Sequence, residues 1–175
     1  VTVTLQPTAS IAGTVFRPDG QTPDGAARVA PCEQCGPTPV NPDGTYRFDG
    51  LPLGTWTVAA FDAEGRRRAV ARNLRLTTNG QVVVADLTMI GVGTVTGRVL
   101  NPDNSSAPNL TVTLRSLDPT FGGFRVVVTD AAGFYTVSDV PVGPVVATAG
   151  NTGAGLLGEA SGTLVGDGGT LGLDV

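Results

Sequence analysis

Cys32 and Cys35, in Pro31-Cys-Glu-Gln-Cys-Gly36, are the only cysteines of the chain, and their type and spacing suggest chemistry most directly. A Cys-x-x-Cys pair can be a redox couple, half of a zinc site or a local disulfide. The redox use needs a helix N-terminus and a βαβ setting to lower the thiol pKa, whereas this pair lies in an expected hairpin connection. Zinc asks for four ligands, and with no further cysteine and no histidine only carboxylates or a second chain could complete the set. In an oxidising compartment the expectation is a disulfide between Cys32 and Cys35, with free thiols as the alternative. The loop it closes is so short that its contribution is rigidity more than stability.

The chain has no histidine, and all 11 of its basic residues are arginine. Ser-His-Asp and Cys-His nucleophile systems, HExxH zinc sites and imidazole acid–base steps all lose their central group. Schiff-base chemistry, the phosphate-loop lysine and Lys–Asn isopeptide crosslinks go with the missing lysine. The acids are 12 Asp against 3 Glu, many of them in turns. Calcium needs about six oxygens converging from a defined loop, and no such Asp spacing occurs. No two carboxylates share a recognisable catalytic setting of the glycosidase kind. The chain is expected not to be an enzyme, with no catalytic residue, no cofactor and no metal.

Three weaker signals remain. Asp118-Pro-Thr-Phe-Gly-Gly-Phe124 offers Phe121 and Phe124 as a possible contact loop for a sugar ring or a partner surface. Against this, Val126 and Val128 continue the alternation of Phe124, which reads as a strand facing the core. Asn104-Ser-Ser106 and Asn109-Leu-Thr111 match the glycosylation sequon, a short and unspecific pattern. Arg66, Arg67 and Arg68 follow the turn Asp62-Ala-Glu-Gly65 and read as a solvated hairpin end. A net charge of -4 without a basic stripe argues against nucleic acid. No apolar run nears the roughly 20 residues of a membrane span, so no membrane insertion is expected.

The elements that carry these residues are strands. Hydrophobic residues make up 41% of the chain, enough for a packed core, and the 25 glycines and 13 prolines fall between short Val-, Thr- and Leu-rich runs. In Thr55-Trp-Thr-Val-Ala-Ala-Phe61 a period of two puts Trp56, Val58 and Ala60 on one face. No window holds a helical apolar stripe, which removes α/β architectures that need crossover helices. In Pro18-Asp-Gly20, Pro23-Asp-Gly25 and Pro42-Asp-Gly44, proline presets φ and glycine is expected to supply the left-handed residue. Asn104 takes the glycine place in Pro102-Asp-Asn104.

The chain also matches itself at a spacing of about 84 to 89 residues, the size of a small β-sandwich. Ile11-Ala-Gly-Thr-Val15 aligns with Val95-Thr-Gly-Arg-Val99, and Asp43 to Gly54 aligns with Ala132 to Gly143. The expectation is two tandem seven-stranded antiparallel Greek-key-type β-sandwich repeats, all-β, over residues 8–90 and 91–175. Residues 1–7 form the closing strand of a preceding repeat or a donor strand, since Val1-Thr-Val-Thr-Leu5 resembles Ala85-Asp-Leu-Thr-Met89. Leu171-Gly-Leu-Asp-Val175 resembles the start of the same closing strand. Val1, Val3, Leu5, Leu171, Leu173 and Val175 are the candidate assembly residues, the opening strand of one molecule adding to the sheet edge of the next. The Gly- and Thr-rich tail from Gly150 to Gly172 reads as weakly specified strands.

Gly13-x-Val15, Asn41-Pro-Asp-Gly-Thr-Tyr-Arg-Phe48 and Gly50-Leu-Pro-Leu-Gly-Thr-Trp-Thr-Val58 resemble the carboxypeptidase regulatory-like domain, a transthyretin-like (prealbumin-like) sandwich. A second copy shows in Gly97-x-Val99, Ala132-Gly-Phe-Tyr135 and Val140-Pro-Val-Gly143. Tyr46, Phe48, Leu51 and Trp56 are expected to seed one core, and Tyr135, Val137, Val140 and Val145 or Val146 the other. The resemblance implies an accessory module of secreted or cell-surface proteins, with no catalytic residues to carry over. The expected function is structural or adhesive, with neighbouring repeats, copies of itself, or a surface glycan or protein as partner. The alternative is a carbohydrate-binding accessory module of an extracellular hydrolase.

Overall fold

The computed structural model describes residues 5–151 and 155–175. The chain is all-β and divides into two compact units, Val1–Ile90 and Gly91–Val175. In the first, β1 (Thr8–Phe16), β4 (Thr45–Pro52) and β7 (Val82–Val84) form one sheet in the order β4-β1-β7, and β8 (Leu87–Thr88) pairs further along β1. The facing sheet runs β3-β2-β5-β6, from β2 (Arg28–Ala30), β3 (Thr38–Pro39), β5 (Gly54–Phe61) and β6 (Arg67–Leu76).

The second unit repeats this plan, with one closing strand where the first has two short ones. Its β9 (Val92–Arg98), β12 (Phe134–Pro141) and β15 (Thr170–Gly172) lie in the order β12-β9-β15. Its β10 (Thr111–Ser116), β11 (Gly123–Val128), β13 (Gly143–Asn151) and β14 (Leu156–Leu164) lie in the order β11-β10-β13-β14. Among the described residues all strand pairings are antiparallel except that of the closing strand, which runs parallel to the opening one, β7 and β8 to β1 and β15 to β9. A chain that starts and ends in neighbouring strands of one sheet after crossing to the other can meet itself in this way.

Each sandwich has its own core. Ile11, Val15, Val29, Tyr46, Val58, Leu76 and Met89 are buried in the first, with Phe48, Leu51 and Trp56 packed partly against them. Val95, Val112, Leu114, Tyr135, Val140, Val145 and Leu164 are buried in the second. The β1–β4 and β9–β12 pairs both carry a register shift. The bulged residue is Gly50 in one unit, at φ 69°, and Asp139 in the other, at φ 56°, a left-handed conformation that Gly adopts freely and Asp tolerates. In the Gly- and Thr-rich tail β14 pairs with β13 over nine residue pairs with no register shift.

The turns follow their chemistry with one exception. Gly20, Gly44 and Asn104 have φ of 69°, 77° and 64°. The Asp before each accepts backbone amides two residues on, Asp19 from Gln21 at 2.9 Å, Asp43 from Thr45 at 3.0 Å and Asp103 from Ser105 at 3.0 Å. Gly25 corrects the expectation. It is not left-handed, and it is needed because a Cβ there would sit 2.3 Å from the Pro42 carbonyl oxygen.

Candidate functional site

The disulfide joins Cys32 to Cys35 in the connection between β2 and β3, with Cα atoms 5.1 Å apart and the Cys35 amide donating to the Cys32 carbonyl at 3.2 Å. Cys32 and Glu33 line a groove over the outer face of β5 and β6 together with Thr57, Ala59, Phe61, Arg67 and Val70. The bonded sulfurs do not titrate, and no group of three or more His, Cys, Asp or Glu able to hold a metal occurs among the described residues.

Arg66, Arg67 and Arg68 are not the uniform solvated tip expected. Arg68 is buried and its Nε lies 2.8 Å from Asp62 Oδ2, while Arg66 Nε lies 3.0 Å from the same oxygen. Burial alone would push the Asp62 carboxyl up, but the Arg66 amide and the two guanidiniums hold it below the usual carboxylate range. Ala69 beside it is in the core, so strict alternation would send Arg68 outward; instead the β5–β6 register shifts there, between the pairs Ala60–Ala69 and Phe61–Arg67, and Asp62 at the turn meets the guanidinium of the extra residue.

The candidate assembly residues are divided between different settings. Val1 and Val3 lie outside the described residues, and Leu5 is 91% exposed. Leu171 lies in β15, and the chain beyond it continues along β9, with the Leu173 amide on the Thr96 carbonyl at 2.8 Å and the Val175 amide on the Arg98 carbonyl at 2.9 Å. Leu173 is buried, and Leu171 and Val175 pack against the same core. Their side chains are committed to the second sandwich, so a neighbour would find only the backbone edge of β15.

A repeated lock holds each closing strand. The Tyr46 hydroxyl donates to the Ala85 carbonyl, and the Tyr135 hydroxyl donates to the Leu173 carbonyl at 2.6 Å. A Cβ on Gly13 would stand 2.2 Å from the Ala85 oxygen, and one on Gly97 would stand 1.7 Å from the Leu173 oxygen. Each glycine therefore admits the closing strand against the opening one. Asp86 and Asp174 complete the pattern by accepting the Thr14 and Arg98 amides, both at 2.8 Å. Burial, and secondarily the Asp174 carboxylate, pushes the Tyr135 hydroxyl up to about 12; burial and Asp86 push Tyr46 further in the same direction. The paired Gly-x-Val and Gly-x-Tyr motifs pointed to these positions, but not to the contact between them.

The contact loop brings another correction. Asp118 Oδ1 accepts the amides of Thr120 and Phe121, at 2.9 and 2.6 Å, and Phe121 is half-buried. Phe124 does not face the core. It is 75% exposed, and Val126 and Val128 are 55% and 59% exposed on the same side of β11. Cross-strand partners share a face, and it is Arg125 and Val127 that sit opposite the buried Leu114 and Val112. Arg125 reaches in to donate to the Asp139 carbonyl at 2.7 Å. Phe134, which the sequence reading did not single out, is 52% exposed with the Arg98 guanidinium 5.4 Å from its ring centroid. The two sequon asparagines, Asn104 and Asn109, are exposed at φ 64° and 55°.

No family model matches the chain. Halomucin from Haloquadratum walsbyi is 30% identical over 146 residues, a match that takes in 82% of this chain and about 2% of the length of that relative. Among solved structures, a streptococcal ancillary pilin overlaps 98% of this chain and 63% of its own, at 11% identity and a TM-score of 0.48. The minor pilin GBS52 of Streptococcus agalactiae overlaps 95% of this chain and 94% of its own, at 15% identity and a TM-score of 0.48. These overlaps are loose.

Proposed function

We propose that this chain is a non-catalytic structural or adhesive piece of a secreted or cell-surface repeat protein, its two sandwiches being carboxypeptidase regulatory-like repeats. The observation that carries this is the lock built twice, Gly13, Tyr46 and Ala85 in one unit and Gly97, Tyr135 and Leu173 in the other. Duplicated sandwiches, each closed on its own core, are the form of a spacer multiplied along a chain. The similarity to about 2% of Halomucin's length supports a place within a far longer protein.

The more specific form of this function is head-to-tail assembly, in which Val1 to Leu5 of one molecule pairs with the edge strand beside Leu171 to Val175 of the next. In its support, Leu5 is exposed and β15 is the last strand of its sheet. Such heterologous contacts do not close and produce filaments. Negative-stain electron microscopy over a concentration series tests it. Fibres that vanish when residues 1–6 are deleted establish the assembly; fibres that persist rule it out, and monomers throughout leave a spacer.

The second function, a carbohydrate-binding accessory module of an extracellular hydrolase, draws on the exposure of Phe124 and Phe134, since sugar rings stack on open aromatic faces. Glycan-array binding that disappears in Phe124→Ala would favour it, and an array without hits would remove it.

A further inference from the structure

We propose that the far edge of β11 pairs with the same strand of a second copy, antiparallel about a two-fold axis at Val126. Among the described strands, β11 is bonded only to β10, so its other edge offers unpaired backbone. The corresponding edge in the first unit is β3, which is two residues long and contains Pro39. A short strand and a proline without an N–H are the usual ways a sheet edge is closed to pairing. The second unit has neither, since β11 is six residues of Gly-Phe-Arg-Val-Val-Val with no proline. Such a segment, apolar, β-branched and nearly uncharged, is of the kind that pairs with its own sequence.

The register identifies the occupant. Antiparallel partners share a face, so only registers that set outward residues against outward residues are open. Centred on Val126, the pairing sets Phe124 against Val128 twice and Val126 against itself on the outer face. On the inner face it sets Arg125 against Val127. Asp130 then meets Gly122, so no like charges oppose one another. Centring on Arg125 would set two arginines face to face, and centring on Val127 would set Phe124 against Asp130. Arg125 is in addition drawn inward by the Asp139 carbonyl, which leaves the outward side of the strand wholly apolar. The four-stranded sheet of each copy thus continues into that of the other. Because the contact is isologous it closes as a dimer and does not propagate, unlike the head-to-tail contact, on which it does not depend.

Sedimentation equilibrium over a concentration series tests this with the full chain, Val126→Arg, Val126→Asp and an equimolar mixture of the two variants. Val126 is 55% exposed, so both substitutions leave the core untouched, and matching urea melts check the fold. The expected result is a concentration-dependent dimer for the parent chain, monomers for each variant alone, and a dimer restored in the mixture, where opposite charges meet at the axis. A parent chain monomeric throughout, a dimer that survives both substitutions, or a mixture that stays monomeric would each overturn the proposal. Deleting residues 1–6 must leave the dimer intact, and its loss would overturn the assignment to β11.

Discussion

The Tyr135 hydroxyl reaches the Leu173 carbonyl at 2.6 Å, tying the closing strand of the second sandwich to β12, which lies on the other side of β9 in the same sheet. The first sandwich makes the same bond from Tyr46 to Ala85. In both, the tyrosine ring is buried beside a glycine of the opening strand, so strand pairing and core packing meet at one point.

Tyr135→Phe keeps the ring and removes the bond, leaving a carbonyl without its partner. The second unit should lose about 1–3 kcal/mol, read from the urea transition assigned to it. Tyr46→Phe should do the same to the first.

The raised Tyr135 pKa sets a pH dependence. The unfolded chain ionises this hydroxyl near about 10, whereas the folded chain holds the proton up to about 12. Above about 10 the unfolded state therefore binds fewer protons, and stability falls as pH climbs towards 12. Urea melts at rising alkaline pH should show this decline, and Tyr135→Phe should flatten it for the second unit.

Gly97→Ala should be among the most damaging single substitutions, because its Cβ would stand 1.7 Å from a backbone oxygen that cannot swing aside. A loss of about 3 kcal/mol or more is expected in thermal or urea melts. Gly36→Ala, whose Cβ would meet nothing within 4 Å, should change stability by less than about 0.5 kcal/mol.

Asp62→Ala leaves the buried Arg68 guanidinium without its carboxylate. The first unit should lose about 3 kcal/mol in a urea melt. Replacing Cys32 and Cys35 together by serine should cost no more than about 2 kcal/mol, because the loop they close is so short.

Asp19 should titrate by NMR at about 2, held down first by the Thr22 hydroxyl and then by the Gln21 and Thr22 amides. A folded pKa below the ordinary value means that its contribution is present above about 4 and is lost as pH falls towards 2. Thr22→Val should move the midpoint upward.

The sequence by itself determined that the chain is all-β. Period-two alternation, Pro-Asp-Gly turns and the lack of any helical stripe are local properties, set by neighbouring residues and by backbone sterics. The strands from β4 to β5 and from β12 to β13, with Pro52 and Pro141 at their ends, are legible for the same reason. Alternation also made Phe124, Val126 and Val128 one face, but it cannot say whether that face is inside. Only the register of β11 against β10, which sets Arg125 and Val127 opposite buried Leu114 and Val112, turned the three apolar residues outward. The parallel closing strand, the buried Arg68–Asp62 pair and the approach of Pro42 to Gly25 were likewise decided by tertiary structure. The closing strand meets the opening one only after the chain has crossed to the other sheet and back, while Pro42 meets Gly25 across the β2–β3 connection and Arg68 meets Asp62 where the β5–β6 register shifts, and no pattern of residue types along the chain encodes these meetings.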